Sequence, residues 1–176
     1  MSIAELAAMV SEALEAAELD AVLSGGSVVS IYSDNEYQSF DLDFVTLERM
    51  KALAVVMESL GFRRSTGRHF VNPNTPYYVE FPTGPLTVGD SPVKQTARLQ
   101  TPLGSVRILT PTQCVMDRLA AFYHWKDRQG LDQALMVARR QPVDLADVER
   151  WSIAEGKVAE FAEFLRELEA LSRPES

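Results

Sequence analysis

The stretch from Gly25 to Phe44, GGSVVSIYSDNEYQSFDLDF, joins a small-residue turn to two carboxylates separated by a single leucine. Phe40, Leu42 and Phe44 alternate with Asp41, Asp43 and Val45, the period-two pattern of a strand, so the two aspartates share one face. Carboxylates at i and i+2 on a strand repel each other at neutral pH unless a cation lies between them. Hard oxygen ligands of this kind suit magnesium or manganese, and magnesium completes its shell with water and substrate phosphates. The turn at Ser24-Gly25-Gly26 fits the same chemistry, because a glycine turn that opens a helix presents free backbone N–H groups and a positive dipole end to a phosphate. Val28 to Tyr32 supply that short helix, and Ser33-Asp34-Asn35 mark a loop before the acidic strand. Residue by residue, the pattern also fits a strand edge that merely exposes Asp41 and Asp43 to water, behind an ordinary glycine turn.

Working outward, Leu6, Val10 and Leu14 recur at i, i+4 and i+8 and predict a helix from Ala4 to about Glu18. Ala21-Val22-Leu23 reads as a short buried strand. Leu47 to Leu60 carries apolar residues at helical spacing and stops at Gly61. A β-rich block follows, with strands expected over Arg68–Val71, Tyr77–Phe81, Ala97–Gln100 and Ser105–Leu109, separated by turn pairs such as Asn72-Pro73. From Thr110-Pro111-Thr112, a good helix start, the rest is helical, over about 112–126, 131–140, 144–153 and 157–171. The order predicts an α/β (α+β) fold with a mixed β-sheet flanked by helices: an α/β core over residues 1–110 and a C-terminal helical cap over 111–176, packed as one compact unit.

At 176 residues and 46% hydrophobic content the chain can bury a sizeable core. The net charge of -8 argues against a general nucleic-acid coat, since phosphate backbones reward basic surfaces. The charge is unevenly spread: residues 1–60 hold 11 acidic and 2 basic side chains, 61–140 hold 5 and 11, and 141–176 hold 9 and 4, so the middle is basic. Cys114 is the single cysteine and forms no internal disulfide, which fits a reducing cytoplasm. The N-terminal segment has no basic leader and no apolar run of roughly 20 residues, so neither a signal peptide nor a membrane span is expected.

LSGGS at Leu23–Ser27, followed by SFDLDF at Ser39–Phe44, resembles the signature of the polymerase-β-type nucleotidyltransferase superfamily and, more narrowly, the AbiEii-type nucleotidyltransferase-like proteins, many of them toxin components of toxin–antitoxin or phage-defence pairs. The match covers about residues 20–46. It implies that Gly25, Gly26 and Ser27 hold nucleotide phosphates, that Asp41 and Asp43 bind Mg2+ or Mn2+, and that a third acidic residue on a later strand completes the site. Glu80 is the best candidate, as the one acidic residue between Gly61 and Gly89, flanked by apolar neighbours on an expected strand; a plain solvent-facing position on a half-buried strand fits it too. Asp117 stands where many relatives carry a basic residue, while His124 reads as a helix-surface or packing residue and Tyr123 and Trp125 read as packing. The implied reaction moves a nucleoside monophosphate from an NTP to an acceptor hydroxyl. The acceptor is an RNA such as tRNA, a protein or a small molecule, and a cognate antitoxin is the implied partner. The basic middle third is expected to add phosphate contacts. Two rivals are a catalytically inactive nucleotide-binding relative with a regulatory role, and an interaction protein that docks a partner through its acidic C-terminal helices, where Val158, Phe161, Leu165, Leu168 and Leu171 form an apolar stripe.

Overall fold

The structure, a computed structural model, describes residues 1–173; the last three residues of the expected helical region lie outside the described residues. Helix α1 (Ile3–Ala16) starts at a reciprocal cap: the Glu5 amide donates to the Ser2 hydroxyl at 3.1 Å, and the Ser2 amide donates to the Glu5 carboxylate at 2.9 Å. Strand β1 (Ala21–Ser24), helix α2 (Gly26–Tyr32), strand β2 (Asp41–Thr46) and helix α3 (Met50–Ser59) follow. Seven further strands come next: β3 (Arg63–Arg64), β4 (His69–Val71), β5 (Tyr78–Glu80), β6 (Thr87–Val88), β7 (Ser91–Pro92), β8 (Ala97–Thr101) and β9 (Gly104–Ile108). The chain then turns helical through α4 (Pro111–Trp125), α5 (Arg128–Arg140), α6 (Leu145–Ala154) and α7 (Val158–Ser172).

Seven strands form one mixed sheet in the order β3-β4-β5-β2-β1-β9-β8, while β6 and β7 make a separate small hairpin. The centre is set by three ladders: β1 runs antiparallel to β2 and parallel to β9, and β2 runs parallel to β5. Side chains alternate between faces, so these registers sort the sheet cleanly. Leu23, Leu42, Phe44, Phe70, Val79, Val106 and Ile108 occupy one face, and each is fully buried. They join Leu6, Val10 and Leu14 of α1 and Leu53 and Met57 of α3 in one continuous core that also includes Leu119, Leu131 and Phe164 from the C-terminal helices. The other face carries Val22, Ser24, Asp41, Asp43, Val45, Tyr78, Glu80 and His69. Helix α1 also closes the gap where β1 and β9 diverge: the Glu12 carboxylate accepts from the Ser105 amide at 2.8 Å, and the Ser11 hydroxyl accepts from the Arg107 amide at 3.1 Å.

Several expectations are corrected. The helix expected from Leu47 begins at Met50, leaving Leu47 72% exposed. Phe40 precedes the acidic strand and stacks on Tyr77, with ring centroids 6.0 Å apart, instead of entering the core. Tyr123 packs on Trp151, but Trp125 is 83% exposed at the end of α4, where Lys126 takes the left-handed conformation that ends the helix. Five of the eleven basic residues of the middle third pair with the acidic ends of the chain: Arg98 with Glu15, Arg107 with Asp20, Arg139 and Arg140 with Glu36, and Arg128 with Glu163 and Glu167. No described helix is long and apolar enough to cross a membrane.

Candidate functional site

Parallel pairing of β2 with β5 sets Asp41 beside Tyr78 and Asp43 beside Glu80. Antiparallel pairing of β4 with β5 then places His69 beside Glu80. Asp41, Asp43, Glu80 and His69 therefore lie on one face, in adjacent strands, at the end of the sheet where β1 runs into the glycine turn. Leu42 and Val79, their in-between neighbours, point into the core and fix that orientation.

The turn needs glycine for two separate reasons. Gly25 has φ 74° and ψ -155°, a backbone region that side chains strongly disfavour, and a Cβ there would lie 2.6 Å from the Asp43 Oδ2 atom. At Gly26 a Cβ would come within 3.2 Å of the Tyr37 ring and 3.4 Å of the Ser39 hydroxyl. Those two neighbours belong to the linker between α2 and β2, which serines tie back onto α2: the Ser39 amide donates to the Ser30 hydroxyl at 2.8 Å and the Tyr37 amide to the Ser33 hydroxyl at 3.4 Å. The carboxylate of Asp43 thus rests against the backbone of the turn. No side chain caps the N-terminus of α2. Ser27 is fully buried and its hydroxyl donates to the Ser24 carbonyl at 3.2 Å, so its side chain is committed to shaping the turn.

Electrostatics single out Asp43. Burial, then the charges of Glu80 and Asp41, push its carboxyl up to about 6 from an ordinary 3.8. Asp117 acts in the same direction, and Arg118 opposes it. Both belong to the second turn of α4, which starts directly after β9 at a Thr110 cap. Arg118 pairs with Asp117 and donates to the Gln133 side chain at 3.4 Å. Burial works against its charge, but the neighbouring Asp117 carboxylate more than restores it. Asp117 and Arg118 are thus charged neighbours of Asp43 that sequence reasoning had not assigned to the site. The available signal was position: a basic residue next to Asp117, two turns into the helix that follows the strand parallel to β1. His124 lies elsewhere, against Glu155 at 3.3 Å.

Among the described residues no three His, Cys, Asp or Glu side chains already converge as a metal cage. The donor chemistry still fits a hard divalent cation, because the acidic neighbours that raise the proton affinity of Asp43 make positive charge favourable there.

No family model and no curated protein matches this chain. Two solved structures are similar to it. The crystal structure of ANT(2″)-Ia in complex with adenylyl-2″-tobramycin aligns with a TM-score of 0.47 at 12% identity, over 90% of this chain and 94% of that one. The solution structure of the antibiotic-resistance factor ANT(2″)-Ia aligns with a TM-score of 0.47 at 16% identity, over 93% of this chain and 91% of that one. At this identity and TM-score the likeness is a loose one of chain path, and it assigns no chemistry to the protein.

Proposed function

We propose that the protein is a nucleotidyltransferase that moves a nucleoside monophosphate from an NTP to an acceptor hydroxyl. One observation carries the reading: a strand register that sets Asp41, Asp43 and Glu80 on one face beside the Gly25 turn, with Asp43 raised to about 6 by burial and its acidic neighbours. Asp41 and Asp43 would hold magnesium or manganese, with Glu80 as the third ligand or as the base. Such a cation, when bound, neutralises phosphate charge and lowers the pKa of the attacking hydroxyl.

Glu80 takes the proton of the acceptor hydroxyl as its oxygen attacks the α-phosphorus, and the bond from that phosphorus to pyrophosphate breaks. The turn at Gly25, Gly26 and Ser27 offers the uncapped N–H groups of α2 to the triphosphate. Arg118, whose charge is already felt at Asp43, offsets part of the negative charge that the nucleotide brings. The motifs LSGGS and SFDLDF support the narrower reading of an AbiEii-type toxin working in the cytoplasm with a cognate antitoxin, on an RNA such as tRNA, a protein or a small molecule.

A second reading, a nucleotide-binding relative without turnover, is favoured by the inward-turned Ser27 hydroxyl. Calorimetric titration of each NTP in magnesium and in chelator tests the shared part: affinity rises markedly with magnesium, and equal affinities would overturn the site. Incubation with α-labelled NTP and cell extract separates the two, since label appears on an acceptor only if the protein turns over.

A further inference from the structure

The face that carries Asp43 continues into a cavity. One step along the β1–β2 ladder from the Ser24–Asp43 pair lies the Val22–Val45 pair, on the same face and roughly 7 Å away along the strands. Val22 and Val45 line a cavity of about 300 Å³, with Leu86 from the segment that crosses this face and with Asp20, Glu48 and Lys94 among its charged residues. Asp20 is neutralised by Arg107, and one oxygen of Glu48 accepts the Asp20 amide at 3.1 Å. Lys94 is exposed and makes no ion pair among the described residues. The cavity therefore combines apolar walls with a free hydrogen-bond donor and a carboxylate.

We infer that this cavity is the nucleoside subsite of the carboxylate site, an inference that rests on the nucleotidyltransferase reading. A nucleobase has two apolar faces and a polar edge bearing both donors and acceptors. Val22, Val45 and Leu86 meet the faces. The Lys94 ammonium donates to a ring or carbonyl acceptor, and Glu48 accepts from an exocyclic amine. The volume lies at the lower end of the range for small-molecule clefts, which runs from roughly 300 to 1,000 Å³, and suits a base with its ribose. The distance along the ladder is also right in kind, since a nucleotide whose α-phosphate lies at Asp43 must place its base within one sugar's length.

Calorimetry in magnesium with ATP, GTP, CTP, UTP and inorganic tripolyphosphate tests the assignment on the wild type, Val45→Phe and Lys94→Met. At least one NTP binds the wild type about tenfold or more tighter than tripolyphosphate, because the base adds contacts that the bare chain of phosphates lacks. Val45→Phe fills the cavity and erases that advantage, while tripolyphosphate affinity stays within about twofold. Lys94→Met, at an exposed position without an ion pair among the described residues, reduces the advantage about three- to tenfold and decides the matter if Val45→Phe fails to fold. Equal binding of every NTP and tripolyphosphate, or folded variants that keep the wild-type preference, would place the base elsewhere. A protein that binds neither NTP nor tripolyphosphate overturns the nucleotidyltransferase reading itself, a result distinct from the loss of base preference.

Discussion

At the scale of single residues, Asp43 concentrates the conflict between stability and chemistry. Its side chain is squeezed between the Gly25 backbone and the charges of Glu80 and Asp41, and its carboxyl rises from 3.8 to about 6. A carboxyl with a raised folded pKa binds its proton more tightly in the folded state than in the unfolded one. The penalty is therefore absent below about pH 4, grows as the pH climbs towards 6, and is complete above that. Two units correspond to roughly 3 kcal/mol, and partial solvent access reduces this to the order of 2 kcal/mol. Asp43→Asn should accordingly melt about 4–8 °C above the wild type at pH 7.5 in chelator and match it near pH 4. Differential scanning calorimetry at the two pH values checks this. A variant that melts lower at pH 7.5 would mean that Asp43 is held by a favourable pairing, with Arg118 the nearest source, and not strained by its acidic neighbours.

Elements explain what the sequence could and could not disclose. Strand β2 was legible because Leu42 and Phe44 alternate with charged residues, and α2 because a glycine turn opens a short run of small and apolar residues. Glu80 was legible as an isolated acid in a β-rich block, but its pairing with Asp43 is a register between strands separated by more than thirty residues, which no local pattern encodes. Strands β3, β6 and β7 have two residues each, too few to display a period. Asp117 and Arg118 escaped because their effect on Asp43 comes from tertiary packing, which no local pattern encodes. The serine ties of the α2–β2 linker were hidden for a similar reason, since serine in a loop looks like solubility. Ser30 is buried, and its hydroxyl accepts from the Ser39 amide at 2.8 Å and donates to the Gly26 carbonyl at 3.4 Å. Ser30→Ala leaves that amide unmet and should cost about 1–2 kcal/mol. Faster hydrogen exchange should appear at Ser39, with strands β8 and β9 unchanged, and unchanged exchange at Ser39 would show that the tie does not hold the linker.

For the whole molecule, the uneven charge of the sequence becomes intelligible only in three dimensions. The acidic ends and basic middle meet in ion pairs between α1 and β8, between the segment before β1 and β9, between the α2–β2 linker and α5, and between the start of α5 and α7. Most of these side chains are well exposed, so each contributes at most about 1 kcal/mol and they bias how the chain closes more than they hold it closed. Cohesion comes from the core, which passes without a break from the sheet into the C-terminal helices. Phe164 of α7 tests that continuity. Its ring is fully buried, stands 6.2 Å from that of Phe161, and belongs to the same cluster as Leu23 and Phe44 on the sheet. Phe164→Ala should cost about 3–5 kcal/mol through lost burial and the cavity left behind. If the helices and the sheet form one cooperative unit, that loss lowers a single calorimetric transition by about 6–20 °C, because every element unfolds together. If α4 to α7 formed a separable domain, the same substitution would split the transition, with the helices melting early and the sheet melting at its original temperature; two resolved transitions would therefore refute the continuous core as a thermodynamic unit.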